Sequence, residues 1–254
     1  MVRLGLLVNP DAGLGGRLGL KGSDGQAEYA RSKGANDRSG PRVKDALEHF
    51  ANLHREISDI TWFTSEGRMG TDWVPKNIQI GDFITIHQSS DITTVSDTSE
   101  LVTSLIESNI DLLVYAGGDG TTRDIISVLE SLGKSEIPVI GIPCGVKMHS
   151  GCFASSPKAG AEVLSAWLNG DLLVSSTEVL DLDEEKYRNG EWVVRLYAEA
   201  KTPASPRWMQ GAKMRVEATG EEEIIEGLAD HIRELLITDN RLIIWGSGGT
   251  LRTI

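Results

Sequence analysis

Apolar residues in the first 150 positions form short, compact runs separated by longer amphipathic stretches. The compact runs predict five strands, which cover residues 3–8, 57–63, 83–86, 112–116 and 138–143. Between them, apolar residues recur at helical spacing, and a clear example is the set Leu101, Val102, Leu105 and Ile106. Strands that alternate with helices predict an α/β fold with a doubly wound, mostly parallel sheet.

Two local patterns refine this prediction. Asp97 and Glu100 precede the apolar helical positions and resemble a capping box, so we expect a helix to begin there. The stretch from Asp11 to Pro41 is rich in glycine, serine and charged residues and has no apolar periodicity. A loop of that length inside a domain is usually functional or mobile, and we expect an irregular segment.

The pattern changes after residue 156, and we expect two domains. Residues 1–156 predict an α/β nucleotide-binding domain, and residues 157–254 predict a β-rich second domain that opens with a helix. A helical pattern over 224–236 then precedes an apolar run and the glycine loop 246–250. We expect these last elements to return toward the first domain. Because such a loop normally leads into a helix, we also expect the chain to continue beyond Ile254.

Composition narrows the class of protein. The 254 residues carry a formal net charge of −12, which argues against nonspecific nucleic-acid binding. No run approaches the ~20 apolar residues of a membrane span, so we expect no membrane association. The two cysteines, Cys144 and Cys152, fit neither a zinc ribbon nor a redox CxxC motif. We expect a reduced, cytoplasmic protein that forms a homo-oligomer.

The most informative motif is Gly117-Gly118-Asp119-Gly120-Thr121, which lies between an apolar run and an amphipathic pattern. In open α/β sheets, a glycine turn in this position holds phosphate-bearing ligands, because backbone N–H groups approach the phosphate with no Cβ in the way. A carboxylate beside phosphates holds Mg²⁺, accepts a proton or binds a sugar hydroxyl. The motif therefore favours phosphoryl transfer over the alternative, a simple turn.

Asp119 is the best candidate for a catalytic group. Its carboxylate follows the central strand directly, where it could accept the proton of an attacking sugar hydroxyl. We expect Thr121 or Thr122 to cap the helix that follows. Asp124 ranks below Asp119, because a carboxylate near a helix N-terminus is favourable even without a function.

Other glycine-rich loops at strand ends supply further candidates for nucleotide and phosphate binding. An Asx turn explains Asn9 as well as a nucleotide contact does, and a solvated loop is the simpler explanation of Lys21. The loop after the fifth strand is expected to meet the Gly117 turn over one crevice. Apart from Asp119, the candidates are Asn9, Gly13, Lys21, Gly117, Gly118, Gly120, Thr121, Asp124, Gly145, Lys147, His149, Gly248 and Gly249.

Three motifs together resemble the ATP-NAD kinase family: Asn9-Pro10-Asp11-Ala12-Gly13, the turn at 117–121, and Gly141-Ile142-Pro143-Cys144-Gly145. The forms Lys21-Gly22-Ser23-Asp24-Gly25 and Lys147-Met148-His149-Ser150-Gly151 look more like its ATP-NAD/AcoX-type branch. The resemblance implies an N-terminal α/β domain and a β-rich C-terminal domain. It also implies phosphorylation of the adenosine ribose 2′-hydroxyl of NAD, with Asp119 contacting that hydroxyl and serving as the base.

The leading expectation is an ATP-dependent NAD kinase whose small-molecule substrates are ATP and NAD. Mg²⁺ is expected to bind with the ATP and not at a preformed protein site, since the histidines show no ligand spacing. An acidic protein that binds polyphosphate must concentrate cations locally or recruit Mg²⁺, and the first alternative points to the few basic residues close to its glycine loops. Two alternatives stay open. One is a lipid kinase with the same glycine turn, although no basic amphipathic segment is found. The other is a non-catalytic nucleotide-binding accessory protein.

Overall fold

The computed structural model describes residues 1–14, 27–53, 59–90, 92–144, 148–182, 193–205, 207 and 209. The strands in these ranges are β1 (Val2–Val8), β2 (Ile60–Glu66), β3 (Asp82–Gln88), β4 (Leu112–Gly117), β5 (Val139–Pro143), β6 (Val174–Leu182) and β7 (Val194–Pro203). The helices are α1 (Ala27–Ser32), α2 (Ser39–Leu53), α3 (Val95–Glu107), α4 (Asp119–Ser131) and α5 (Pro157–Leu168). Two short 3₁₀ turns, Gly67–Met69 and Thr71–Trp73, follow β2.

The first five strands form one parallel sheet in the order β3-β2-β1-β4-β5. The predicted α/β fold with a doubly wound parallel sheet is therefore confirmed. The chain builds outward from β1 to β3, then returns to the other side of β1 to add β4 and β5. The strand order reverses between β1 and β4, and the carboxyl ends of strands at such a point border the crevice where α/β proteins bind ligands.

Apolar side chains cover both faces of the sheet, which is why its strands read as nearly continuous apolar runs. Alternate residues of a strand point to opposite faces. Leu4 and Leu6 of β1 accordingly join the core under α2 and α5, and Leu7 joins the core under α3 and α4. In the first core, the fully buried Trp62 stacks on Phe83 with ring centroids 5.6 Å apart. These two cores hold the carboxyl ends of β1 and β4 in fixed register.

Strands β6 and β7 form a separate two-stranded sheet. The Ala204 N–H donates to the Leu173 carbonyl at 2.8 Å, and Lys201 lies opposite Ser176, as expected for an antiparallel pair. Residues 1–181 and 195–213 make up one compact unit, and α5 packs on α2 within it. The predicted boundary at residue 156 stays a prediction. The helix, strand and glycine loop predicted over 224–250 lie outside the described residues.

Local structure differs from the sequence prediction in two places. The stretch from Asp11 to Pro41 is not a continuous loop, because it contains α1 and the first turn of α2. The capping box of α3 consists of Thr94 and Asp97, not Asp97 and Glu100, so the helix begins three residues earlier than expected. Burial raises the pKa of Asp97, but hydrogen bonds from Ser90 and Thr94 outweigh it and set the pKa at about 2.

Within the described part of the chain, no helix has the length and apolar character needed to cross a bilayer.

Candidate functional site

The glycine turn predicted as the centre of the site lies at the carboxyl end of β4. Gly117 is the last residue of the strand, Gly118 is the N-cap of α4, and Asp119 is the first residue of the helix. The expectation that Thr121 or Thr122 caps this helix is wrong, because both residues lie inside its first turn. The helix begins on a glycine with extended backbone, so its first N–H groups are directed toward the sheet edge at the strand-order reversal.

The Asp119 carboxylate is buried and held by three hydrogen bonds from the loop that follows β5. The His149 N–H donates to Oδ2 at 2.7 Å. The Ser150 N–H donates to Oδ1 at 3.0 Å, and the Ser150 hydroxyl lies 2.7 Å from the same oxygen. The position of Asp119 in the first turn of α4 adds the favourable end of the helix dipole. All these contacts favour the ionised carboxylate and fix its orientation.

Ser150 links this carboxylate to β6. Its hydroxyl oxygen accepts the Leu180 N–H at 3.0 Å and lies 2.9 Å from the Leu180 carbonyl. A hydroxyl has a single proton, so it donates either to Asp119 or to that carbonyl at any moment. The loop after β5 therefore meets the glycine turn, as the sequence predicted, and Ser150 is the residue that joins them. The sequence contains Ser150 within the form Lys147-Met148-His149-Ser150-Gly151, but nothing in that form showed that its hydroxyl would contact Asp119.

Asn9, at the end of β1, also connects the strand ends. Its side-chain oxygen accepts the Asp11 N–H at 3.0 Å, which is the Asx turn considered from the sequence. Its amide nitrogen donates to the Thr121 hydroxyl at 2.8 Å, and its backbone N–H donates to the Ala116 carbonyl at 2.9 Å. Asn9 thus fixes the β1 loop to α4 across the strand-order reversal. Its role as a nucleotide ligand stays a prediction.

Gly13 packs the β1 loop against the end of β5. Its φ of +78° lies in the left-handed region, and a Cβ there would lie 2.3 Å from the Cys144 carbonyl oxygen. Cys144 in turn donates its N–H to the Gly117 carbonyl at 3.2 Å. The loops after β1, β4 and β5 consequently form one continuous layer at this edge of the sheet.

Arg123 and Asp124 lie on the next turn of α4, and both take part in ion pairs within the protein. The Arg123 guanidinium donates to Asp181 of β6 at 2.7 Å and lies 3.4 Å from the Asp124 carboxylate. Asp124 is half-buried in this cluster, a structural role different from the favourable position near a helix N-terminus that was weighed against a nucleotide contact. Its place in phosphate binding stays a prediction.

A comparison with protein-family models matches residues 5–172 to the ATP-NAD kinase N-terminal domain. The chain belongs to the ATP-NAD kinase family. The match extends from β1 through α5 and contains Asn9, Gly13 and Asp119. At the level of this family, the activity is kinase-type phosphoryl transfer on an NAD-like substrate. A search of curated proteins found no match.

The remaining candidate residues are placed as follows. Gly120 lies in the first turn of α4, half-buried, and His149 is buried beside Asp119. The other five candidates, Lys21, Gly145, Lys147, Gly248 and Gly249, lie outside the described residues. Within the described ranges, no three histidine, cysteine or acidic side chains lie together in a way that could hold a metal ion.

A buried polar cluster lies beneath the glycine turn of the kinase. The Tyr115 hydroxyl lies 2.6 Å from the Thr122 hydroxyl and 3.1 Å from the Cys152 sulfur. Burial raises the pKa of the Cys152 thiol to about 12, and burial also raises the pKa of Cys144 to about 12. Both thiols therefore stay protonated at neutral pH, which excludes them as nucleophiles because the thiolate is the reactive form.

The two glycines of the turn are expected to respond differently to substitution. A Cβ on Gly117 would lie 2.5 Å from the Thr121 Cβ, whereas a Cβ on Gly118 meets no heavy atom within 4 Å. Gly118→Ala is expected to change the free energy of unfolding by less than ~1 kcal/mol. It should nevertheless weaken nucleotide binding about 10-fold, because the methyl group occupies the approach of a phosphate to the backbone.

Gly117→Ala serves as the contrast, because it should destabilise the fold by displacing Thr121 from Asn9. Chemical denaturation and calorimetric titration with ATP measure the two effects. Wild-type nucleotide affinity in Gly118→Ala would show that phosphate does not approach this turn.

Proposed function

We propose that the protein is an ATP-dependent NAD kinase that transfers the γ-phosphoryl group of ATP to the adenosine ribose 2′-hydroxyl of NAD. The observation that carries this proposal is the buried Asp119 carboxylate, fixed at the start of α4 where the strand order reverses, in a chain of the ATP-NAD kinase family. Phosphate-bearing ligands of open α/β sheets bind at this point, and a carboxylate beside them suits a hydroxyl acceptor.

In the proposed reaction, the ribose 2′-oxygen forms a bond to the γ-phosphorus while the bond from that phosphorus to the ADP oxygen breaks. The proton of the ribose hydroxyl passes to Asp119. Transition states of this kind are loose, so positioning and charge neutralisation contribute more than strong basicity. The backbone donors of His149 and Ser150 prevent the carboxylate from rotating, and such fixed geometry is what positioning requires.

Mg²⁺ is proposed to enter with ATP, where it neutralises charge on the phosphate oxygens that face the leaving group. The chemistry of the site fits a hard cation, because carboxylate oxygens are the side-chain ligands that Mg²⁺ takes in proteins, and Asp119 supplies one beside the proposed phosphate position. The net charge of −12 also favours entry of ATP as its Mg²⁺ complex, since an acidic protein repels a triphosphate that carries no cation.

The assay that tests this function supplies the full chain with ATP, Mg²⁺ and either NAD or diacylglycerol. We expect NADP to form from NAD, no lipid phosphate to form, and activity to vanish with a chelator and return with Mg²⁺ or Mn²⁺. Phosphorylation of diacylglycerol alone would favour the lipid kinase instead. Transfer that continues in excess chelator would contradict the metal requirement.

One observation favours a second candidate, a nucleotide-binding protein without turnover. A carboxylate that accepts several strong hydrogen bonds is a weak base, and Asp119 accepts three from a single loop. Such a protein would bind ATP and NAD but form no NADP. The assay above separates the two functions directly, because binding with no product over long incubation supports only the second.

A further inference from the structure

A concave site lies on the α2 side of the sheet, near the carboxyl ends of β1 and β5. It is a pocket of about 400 Å³ between Leu14, at the end of the β1 loop, and the segment from Lys33 to Arg42 that leads into α2. Pockets of this size hold small ligands. None of the motifs recognised in the sequence includes the polar residues that line it.

Three basic side chains line this pocket in a chain with a net charge of −12. The Arg42 guanidinium is held in place by a 2.7 Å hydrogen bond to the Pro143 carbonyl at the end of β5. Lys33 is exposed at the rim, with its ammonium group 5.6 Å from the Tyr29 ring centroid. Arg38 is half-buried, and within the described residues its guanidinium makes no hydrogen bond or ion pair.

Among the described residues that line the pocket, the one acidic side chain is Asp37, and it is already bound by other partners. Arg68 donates to both of its oxygens at 2.6 to 3.0 Å, and Arg31 lies 3.6 Å away. Arg31 also pairs with Asp11 of the β1 loop. This network neutralises Asp37 and ties the segment before α2 to the ends of β1 and β2. Among the described residues that line the pocket, none therefore cancels the positive charge of Arg38 and Arg42.

A chain of contacts connects the lining of the pocket to the strand end that precedes Asp119. A Cβ on Gly13 would lie 3.7 Å from Cδ of Arg38 and 2.3 Å from the Cys144 carbonyl oxygen. Cys144 is bonded through its N–H to the Gly117 carbonyl, two residues before Asp119. Arg38 and Arg42 are close enough to act electrostatically on the Cys144 thiol. Burial raises the pKa of this thiol, and the charges of Arg42 and Arg38 partly oppose that increase. Both cations thus flank the same strand ends as the glycine turn.

We propose that this pocket binds the oligophosphate chain of the phosphoryl donor, with Arg38 and Arg42 as its charged anchors. The proposal rests on the proposed kinase function, which requires a polyanionic donor close to Asp119. Guanidinium groups bind phosphate oxygens through short, charge-assisted hydrogen bonds. The Arg38 guanidinium makes no hydrogen bond or ion pair with the described residues, so among them its donors are available for that purpose. A nucleoside triphosphate and inorganic polyphosphate both carry such an oligophosphate chain, so both present the chemistry that these arginines would bind.

The test measures binding to the full chain by isothermal titration calorimetry, with inorganic tripolyphosphate, ATP and AMP as separate probes at one ionic strength. Arg38→Gln is expected to weaken tripolyphosphate and ATP binding about 10-fold or more, and to leave AMP binding unchanged. Lys44→Gln is the matched control, because it removes one charge from the exposed side of α2, the helix that follows Arg38 directly. Lys44→Gln should change the affinity for tripolyphosphate and for ATP by less than about 2-fold.

Each outcome bears on the proposal. Comparable affinities for ATP and tripolyphosphate, both dependent on Arg38, would show that the pocket binds the phosphate chain of either a nucleotide or an inorganic polyphosphate. Tighter binding of ATP would show that the ligand of the pocket is a nucleotide. The proposal would be overturned if Arg38→Gln and Lys44→Gln weakened tripolyphosphate binding equally, or if Arg38→Gln kept the wild-type affinity. If the Arg38 variant fails to fold, Lys33→Gln provides the same comparison, with at least a 3-fold loss expected.

The binding assay also separates this proposal from the kinase function. If NADP forms but tripolyphosphate affinity is insensitive to Arg38, the pocket proposal is wrong and the function stands. If tripolyphosphate binding depends on Arg38 but no NADP forms, the pocket stands and the function is wrong.

Discussion

Replacing Asp119 with asparagine is expected to lower the phosphoryl-transfer rate by ~10²-fold or more, the scale of a lost general base. The same substitution should lower the free energy of unfolding by about 2 kcal/mol, because a buried charged acceptor is lost. The new amide group can still accept from Ser150 through its oxygen, but its NH₂ then faces the His149 N–H. Steady-state NADP formation and urea denaturation measure the two effects.

Ser150→Ala is the control that separates catalysis from stability. It removes the hydroxyl that contacts Asp119 and leaves the Leu180 N–H without its acceptor, at a similar cost of about 2 kcal/mol. The carboxylate remains, so the rate should fall less than about 10-fold. Near-wild-type turnover in Asp119→Asn, or equal rate losses in both variants, would contradict a catalytic role for Asp119.

Gly13→Ala is expected to be the most destabilising single substitution in the loops around the site. An L-residue at a φ of +78° costs about 1–2 kcal/mol. The methyl group would also lie 2.3 Å from the Cys144 carbonyl oxygen, and overpacking against backbone adds about 1–3 kcal/mol. We therefore expect the free energy of unfolding to fall by about 3 kcal/mol, with weaker nucleotide binding, because the layer of loops after β1, β4 and β5 is disturbed.

Gly34→Ala isolates the backbone contribution. Gly34 has a similar φ of +84°, but a Cβ there meets no heavy atom within 4 Å. Gly34→Ala should lower the free energy of unfolding by only about 1 kcal/mol. Denaturation curves of the two variants measure the difference, and equal losses would show that the contact between Gly13 and Cys144 does not hold the loops together.

Hydrophobic patterning predicts the parallel sheet well because its strands are buried on both faces. Runs such as residues 112–116 and 138–143 are apolar throughout, and the structure places β4 and β5 on them. The glycine turn is equally visible, since only glycine permits the close packing of Gly117 on Thr121. The fold class and the position of Asp119 at the end of a strand were thus predictable from local sequence.

Contacts between distant segments were not predictable in the same way. The hydrogen bonds from His149 and Ser150 to Asp119 span about 30 residues, and no periodic pattern encodes them. The cap of α3 was misplaced because several residues near its start can accept a hydrogen bond, and packing decides between Thr94 and Asp97. The sequence analysis assigned Arg38 and Arg42 no role, since their convergence on a pocket depends on how α2 packs on the sheet.

The most direct test of the account is to incubate the full chain with ATP, Mg²⁺ and NAD, and to locate the added phosphate by mass shift and ³¹P NMR. The account predicts that NAD gains one phosphoryl group on the adenosine ribose 2′-oxygen, and that the product is not formed by Asp119→Asn at a comparable rate. Unmodified NAD after long incubation with a folded, ATP-binding protein would contradict it, as would phosphate found on any other oxygen.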